Sequence, residues 1–216
     1  MTATIDFQDS PLAAPGNGLI RNVCVYCGSG QGTTPIHVEA ATAFGRVLAG
    51  AGIGLVYGGG NTGLMGAVAR AVLAEGGHVT GIIPQFLSDR EVALEAAQRL
   101  IVVPDMHTRK RLMFEKADAF VALPGGIGTL EELVEQLTWV QLERHTKPVL
   151  IADIGGFWRP LLDVFAHMRT QGFIQAKFEV RYLVAEAVDD ILPMLETAAE
   201  RTAKLGLTKT DIDPRL

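Results

Sequence analysis

Several things are scarce in this chain, and each scarcity closes off a class of protein. The 216 residues contain two cysteines, Cys24 and Cys27, too few for a disulfide framework. Their C-x-x-C spacing falls in and just after an apolar run, with no second Cys or His pair at ligand spacing. A packing role is expected rather than redox or metal chemistry. Basic charge is not in surplus: 19 Lys and Arg face 24 Asp and Glu, for a net charge of −5. Nothing therefore rewards non-specific contact with nucleic acid. No apolar stretch approaches the roughly 20 residues needed to cross a bilayer. The first twenty residues carry Asp6 and Asp9, no basic start and no apolar segment of signal length, so no secretory signal is read. A soluble, cytoplasmic protein is the expectation.

The common catalytic motifs are missing too. There is no G-K-[ST] phosphate loop, no H-E-x-x-H and no G-x-S-x-G, so no metal is expected and a serine hydrolase lacks support. A dinucleotide fingerprint is broken twice. The first turn reads CGSGQG, with its third glycine out of place, and the second strand runs into Tyr57-Gly58 rather than an acidic residue that would hold a ribose. A dehydrogenase is disfavoured.

What the chain does have is glycine, 24 residues of it, gathered at turns between apolar runs. Short apolar segments at Asn22–Tyr26, Gly52–Tyr57, His78–Ile83, Leu100–Val103, Ala119–Leu123, Pro148–Ala152 and Tyr182–Ala185 read as strands. Helical periodicity appears between most of them, as at Pro35–Ala51, Asp105–Ala117, Thr129–Glu143, Trp158–Thr170 and Val188–Lys204. Alternation of this kind implies right-handed crossovers and a parallel, Rossmann-like doubly wound α/β sheet. One domain is expected over residues 19–204. Residues 1–18 read as a disordered arm and 205–216 as a flexible tail.

Ligands of such sheets bind beyond the carboxyl ends of the strands. Three glycine-rich turns fall at that edge. They are the turn with Gly28 and Ser29, the turn with Gly59 and Gly60, and the turn Pro124-Gly125-Gly126-Ile127-Gly128. Together they can line one pocket, and the last has the form of an anion site: strand, glycine turn, helix N-terminus with free N–H groups. Thr129 and Glu132 follow it at the spacing of a capping box, in which the glutamate folds onto its own helix start. The same spacing sets a carboxylate at the mouth of the turn, where the helix dipole favours its ionised form. Arg109 and Lys110 flank an apolar stripe of Met106, Met113 and Ala117 on their helix. So near the core they need an anionic partner, either a protein carboxylate or a ligand.

The pair PGGIGTLEE at 124–132 and MHTRK at 106–110 resembles the Lonely Guy family of phosphoribohydrolases, often labelled lysine decarboxylase-like. CGSG at 27–30, YGGGNTGLMGAVA at 57–69, GIIP at 81–84 and TWVQLERHTKPV at 138–149 extend the resemblance over most of 22–173. The resemblance implies a hydrolase that splits the N-glycosidic bond of N6-substituted adenosine 5′-monophosphates (cytokinin nucleotides), giving free base and ribose 5-phosphate. It implies Glu132 and Arg109 as catalytic residues, no cofactor, and a homodimer. Substrate contacts would come from Glu91, Lys110, Thr138 and the loop of Gly126, Ile127, Gly128, Thr129, Leu130 and Glu131. The family's usual tyrosine is replaced here by Ile127. A purine nucleotide nucleosidase acting on plain adenosine monophosphate, or a nucleotide-binding module without turnover, are the competing readings.

Overall fold

The computed structural model describes residues 18–88, 97, 99–175 and 180–206. Seven strands alternate with helices: β1 (Asn22–Tyr26), α1 (Pro35–Gly50), β2 (Gly54–Tyr57), α2 (Gly63–Ala74), β3 (Val79–Pro84), α3 (Gln85–Ser88), β4 (Arg99–Val103), α4 (Met106–Lys116), β5 (Ala119–Ala122), α5 (Ile127–Gln141), β6 (Val149–Ala152), α6 (Arg159–Thr170), β7 (Leu183–Ala185) and α7 (Val188–Lys204). All pairings are parallel, in the order β4-β3-β2-β1-β5-β6-β7. The doubly wound sheet expected from the sequence is the one found.

The two-residue period of the strands sorts the core into halves. Val23 and Val25 of β1, Leu55 and Tyr57 of β2 and Val121 of β5 turn to the side covered by α1, α2 and α7. Cys24, Tyr26, Val56 and Phe120 turn to the side of α4, α5 and α6. Both faces being covered explains why these strands read as unbroken apolar runs. Cys24 and Cys27 fall in opposite halves as free, buried thiols, and burial foremost pushes both far up in pKa. That removes them as a redox pair, because the reactive form is the thiolate.

Chain order reverses between β1 and β5, so the crevice of this sheet opens there, between the turns after β1 and β5. Those turns pack backbone to backbone, with the Gly28 amide donating to the Pro124 carbonyl at 3.0 Å. A side chain on Gly125 would strike Thr129 and meet the Gly28 amide nitrogen at 2.8 Å. Glycine is required at that crossing by space, whatever its role toward a ligand.

Several element ends shift by one or two residues from expectation, and two of these shifts bear on the site. The residue before α4, Asp105, lies outside the helix as its cap, its carboxylate accepting from the Thr108 amide at 2.8 Å. Helix α5 begins at Ile127 rather than Thr129, with Gly126 as its extended N-cap. Three other expectations lie outside the described residues: the structure of residues 1–17, of residues 207–216, and of Glu91 with its neighbours.

Candidate active site

The earlier start of α5 changes what Thr129 and Glu132 can do. Thr129 is the third helical residue and is buried against Gly125. Glu132 lies in the second turn, past the free amides of the helix start. The capping-box arrangement is therefore not formed. Glu132 points to α4 instead, where its Oε1 stands 3.0 Å from Nη1 of Arg109. Arg109 is held in turn by β3: its Nε donates to the Ile82 carbonyl at 3.2 Å.

Room for the arginine comes from Gly58, the residue after β2, where a Cβ would collide with Nη2 of Arg109. Sequence reading passed over Gly58. The signal was present in the YGGG run, yet only the packing shows which of its glycines serves the arginine. One functional centre is thus assembled from the ends of β2 and β3, from α4 and from α5.

Both partners are nearly dry, with side-chain exposures of 11% for Arg109 and 9% for Glu132. A carboxylate in such a place is pulled two ways. Burial penalises its charged form, and Arg109 favours it. Burial wins, and the Glu132 pKa is pushed up to about 7. The sequence-based expectation that the helix start would favour the ionised form is corrected here. At the second turn the dipole has faded, and desolvation decides. A carboxyl group poised near neutrality can accept a proton from water and still carry charge, which suits general-base and electrostatic work.

The neighbouring pair is built differently. Lys110 Nζ donates to Glu131 at 2.7 Å and to Glu135 at 2.8 Å. Burial works to lower the Lys110 pKa, but the two carboxylates outweigh it and the group sits above its ordinary value. Of the two anionic partners foreseen for Arg109 and Lys110, the protein carboxylate is the one both have found.

At the same carboxyl edge of the sheet a cleft of about 300 Å³ opens at the crevice, lined by Gly28, Ser29, Gly30, Gln31 and Gly32 after β1, His37 of α1, Leu64 of α2, Pro124, Gly125 and Gly126 after β5, and Phe157 after β6; Arg109 and Glu132 are not in that lining. Of the residues expected to bind substrate, Gly28, Ser29, Gly125 and Gly126 meet in it. Ile127 and Gly128 are exposed in the first turn of α5, beside the Gly126 cap, and Leu130 packs partly against the α4–α5 half of the core. Gly59 and Gly60 are buried, and Gly59 lies against Ile83 and Leu100, away from the cleft lining. Thr138 is exposed, six residues beyond Glu132 or about 9 Å further along the helix. Its hydroxyl donates to the Val134 carbonyl at 2.8 Å. Within one chain Thr138 is not brought to the cleft. His37, Leu64 and Phe157 were not foreseen, since each looks like ordinary helix or loop sequence until the topology joins them.

Among the described residues no group of three or more His, Cys, Asp or Glu could hold a metal, and no helix is long and apolar enough to cross a membrane.

A doubly wound parallel sheet with a buried Arg–Glu pair and a glycine-walled crevice at its carboxyl edge defines an α/β protein with a candidate site at the switch point. Comparison with known proteins narrows this. The family model described as "Possible lysine decarboxylase" matches residues 65–195. The rice (Oryza sativa subsp. japonica) cytokinin riboside 5′-monophosphate phosphoribohydrolase LOG is 45% identical over 185 residues, covering 86% of this chain and 72% of the relative. An Arabidopsis thaliana cytokinin riboside 5′-monophosphate phosphoribohydrolase is 43% identical, covering 83% of both chains. The chain belongs to this Lonely Guy family. Among solved structures, the molybdenum cofactor carrier protein of Chlamydomonas reinhardtii superposes with a TM-score of 0.64 at 20% identity, over 83% of this chain and 98% of that one. At that identity the likeness is one of fold.

Proposed function

We propose that this protein hydrolyses the N-glycosidic bond of N6-substituted adenosine 5′-monophosphates, releasing the free base and ribose 5-phosphate. The relatives named above, 43–45% identical over most of the chain, carry this activity in their names. The observation that carries the reading within the molecule is the dry Arg109–Glu132 pair at the same sheet edge as the glycine crevice. Breaking a ribosyl–base bond builds positive charge over C1′ and the ring oxygen, and a fixed carboxylate stabilises that charge while it orients or deprotonates the attacking water. Glu132 takes this role. Arg109, anchored on Ile82, keeps the carboxylate aligned and favours its charged form as its ion-pair partner. The turn with Gly125, Gly126 and Gly128, which opens α5, offers backbone amides to the phosphate, while the Gly28 amide is used on the Pro124 carbonyl. Binding energy gained at the phosphate is spent on positioning the reacting carbon. No lysine in the site is required, so the decarboxylase label of the family model is set aside.

Incubation with N6-isopentenyladenosine 5′-monophosphate and chromatography of the products tests the proposal. Free base and ribose 5-phosphate are expected, with plain adenosine monophosphate consumed more slowly. Binding of the nucleotide without release of base would leave a binding module in place of the enzyme.

The working unit we infer is a homodimer. Helix α6 has no buried residue, although its apolar side carries Val164 and Met168, and Phe173 just beyond it is 84% exposed. On α5, Val134 and, just past its end, Leu142 are also exposed. A surface of this kind is usually covered by a partner. Light scattering coupled to gel filtration should give twice the 23.1 kDa chain mass.

A further inference from the structure

In the reading above the phosphate is held by backbone amides, and one observation says they are not alone. The two cations of the motif pair are already matched: Arg109 by Glu132, Lys110 by Glu131 and Glu135. Spending Arg109 on a phosphate would strand the dry Glu132 carboxylate, and Lys110 does not line the cleft. Among the described residues the cleft is lined by neither a lysine or arginine nor a carboxylate. Its side-chain donors are Ser29, Gln31 and His37.

His37 is the one whose orientation is fixed. Its ring stands edge-on to Phe157, centroids 5.5 Å apart and planes at 76°. Its Cδ2 lies against Gly32, only 3.1 Å from where a Cβ there would be. Its Nδ1 is buried and has no hydrogen-bond partner. Both ring atoms next to the attachment point are thus covered, which leaves the outer edge, Cε1 and Nε2, to face the cleft. A buried, unpartnered N–H costs more than a buried lone pair, so the proton belongs on Nε2. The result is a single, rigidly held donor aimed into a cleft walled by the glycine turns that open α1 and α5.

We propose that His37 is the specificity residue for the 5′-phosphate, donating from Nε2 to a phosphate oxygen held at the Gly125-Gly126 turn. This rests on the hydrolase reading and deepens it, because it says how a nucleotide would be told from a nucleoside. His37 acts on binding and positioning and takes no part in bond breaking.

The test uses two variants of the full chain. His37→Phe keeps a ring against Phe157 and removes the donor. His37→Gln keeps an N–H donor and removes the ring. Each is assayed on N6-isopentenyladenosine 5′-monophosphate and on the nucleoside lacking the phosphate, and each is titrated calorimetrically with ribose 5-phosphate, ribose and inorganic phosphate. A hydrogen bond to a charged group is worth about 10- to 100-fold in affinity. The nucleotide-to-nucleoside ratio of kcat/KM should fall by that factor in His37→Phe, mostly through KM, and recover largely in His37→Gln. Ribose 5-phosphate should weaken in parallel. Inorganic phosphate should follow if the anion alone is recognised. The proposal is overturned if His37→Phe keeps the wild-type ratio, or if Phe is tolerated and Gln is not, the pattern of a packing residue. If the wild-type protein releases no base at all, the hydrolase reading fails by itself. Ribose 5-phosphate binding then decides about His37: weakening in His37→Phe upholds the donor, and equal or absent binding overturns it.

Discussion

Arg109 and Lys110 are consecutive on α4, and Glu131 and Glu132 are consecutive on α5, so the two helices meet through two ion pairs side by side. The inner pair, Arg109–Glu132, is about nine-tenths buried, and its carboxyl is pushed up to about 7. The outer cluster joins Lys110 to Glu131 and Glu135, with Glu131 half exposed. In the outer cluster Lys110 and Glu135 are 15% and 22% exposed and Glu131 is half exposed, so water reaches both carboxylates and the pairing does little beyond fixing side-chain positions. In the inner pair the same chemistry, moved a few ångströms toward the core, becomes a charge that is costly to hold and therefore available for catalysis. Adjacent residues thus serve unlike ends because one pair of side chains turns inward.

The strongest way to break this comparison is to remove the inner charge while keeping its shape. Glu132→Gln should lower base release by at least about 10³-fold, since the stabilised positive charge at C1′ loses its counterpart. The fold should survive, as the amide is neutral and nearly isosteric. The variant also reads out the cost of the charge. A carboxyl whose folded pKa lies above its unfolded value contributes stability below about 4.5 that is lost as pH rises to about 7. Wild-type melting temperature should therefore drop relative to Glu132→Gln across that window, and parallel melting curves would show that Glu132 is not held as described.

Next in size is Arg109→Ala. Loss of the guanidinium frees Glu132 to move and leaves its charge without the main group that favours it, so a loss of about 10²-fold in kcat is expected from misplacement. The acid limb of kcat/KM, expected near 7 in the wild type, should move upward, because burial then acts on Glu132 with less opposition. A limb that stays in place would mean that Arg109 does not set the ionisation of Glu132.

These pairs also mark how far the sequence could be read. The alternation of strands and helices follows from apolar runs and glycine turns, because strands covered on both faces, such as Ala119–Leu123, read as continuous apolar segments, whereas the strand order came only with the structure. Arg109 and Glu132 stood out by residue type and motif. What could not be read was the helix register at Gly126. Two residues separate a helix starting at Thr129 from one starting at Ile127, and in the first Glu132 would cap its own helix. Only the crossing of Gly125 with Gly28, where Thr129 must fit beneath, decides between them. His37 and Phe157 lie 120 residues apart in sequence and meet only because β1 and β6 flank β5. No local pattern announces such a meeting.

The smallest effect is expected at the outer cluster, and it sharpens the comparison by its size. Lys110→Ala removes two hydrogen bonds of 2.7 and 2.8 Å and a raised lysine pKa, features that would look important if distance alone were counted. Yet Glu131 and Glu135 are free to turn to water once Lys110 is gone, so neither charge is stranded. At about 1 kcal/mol or less for a screened pair, kcat/KM should change less than about fivefold, with the acid limb near its wild-type position. A loss approaching that of Arg109→Ala would show that Lys110 touches the substrate directly. The division between a working inner pair and a supporting outer one would then have to be redrawn, with the lysine turning from its carboxylates to the ligand on binding.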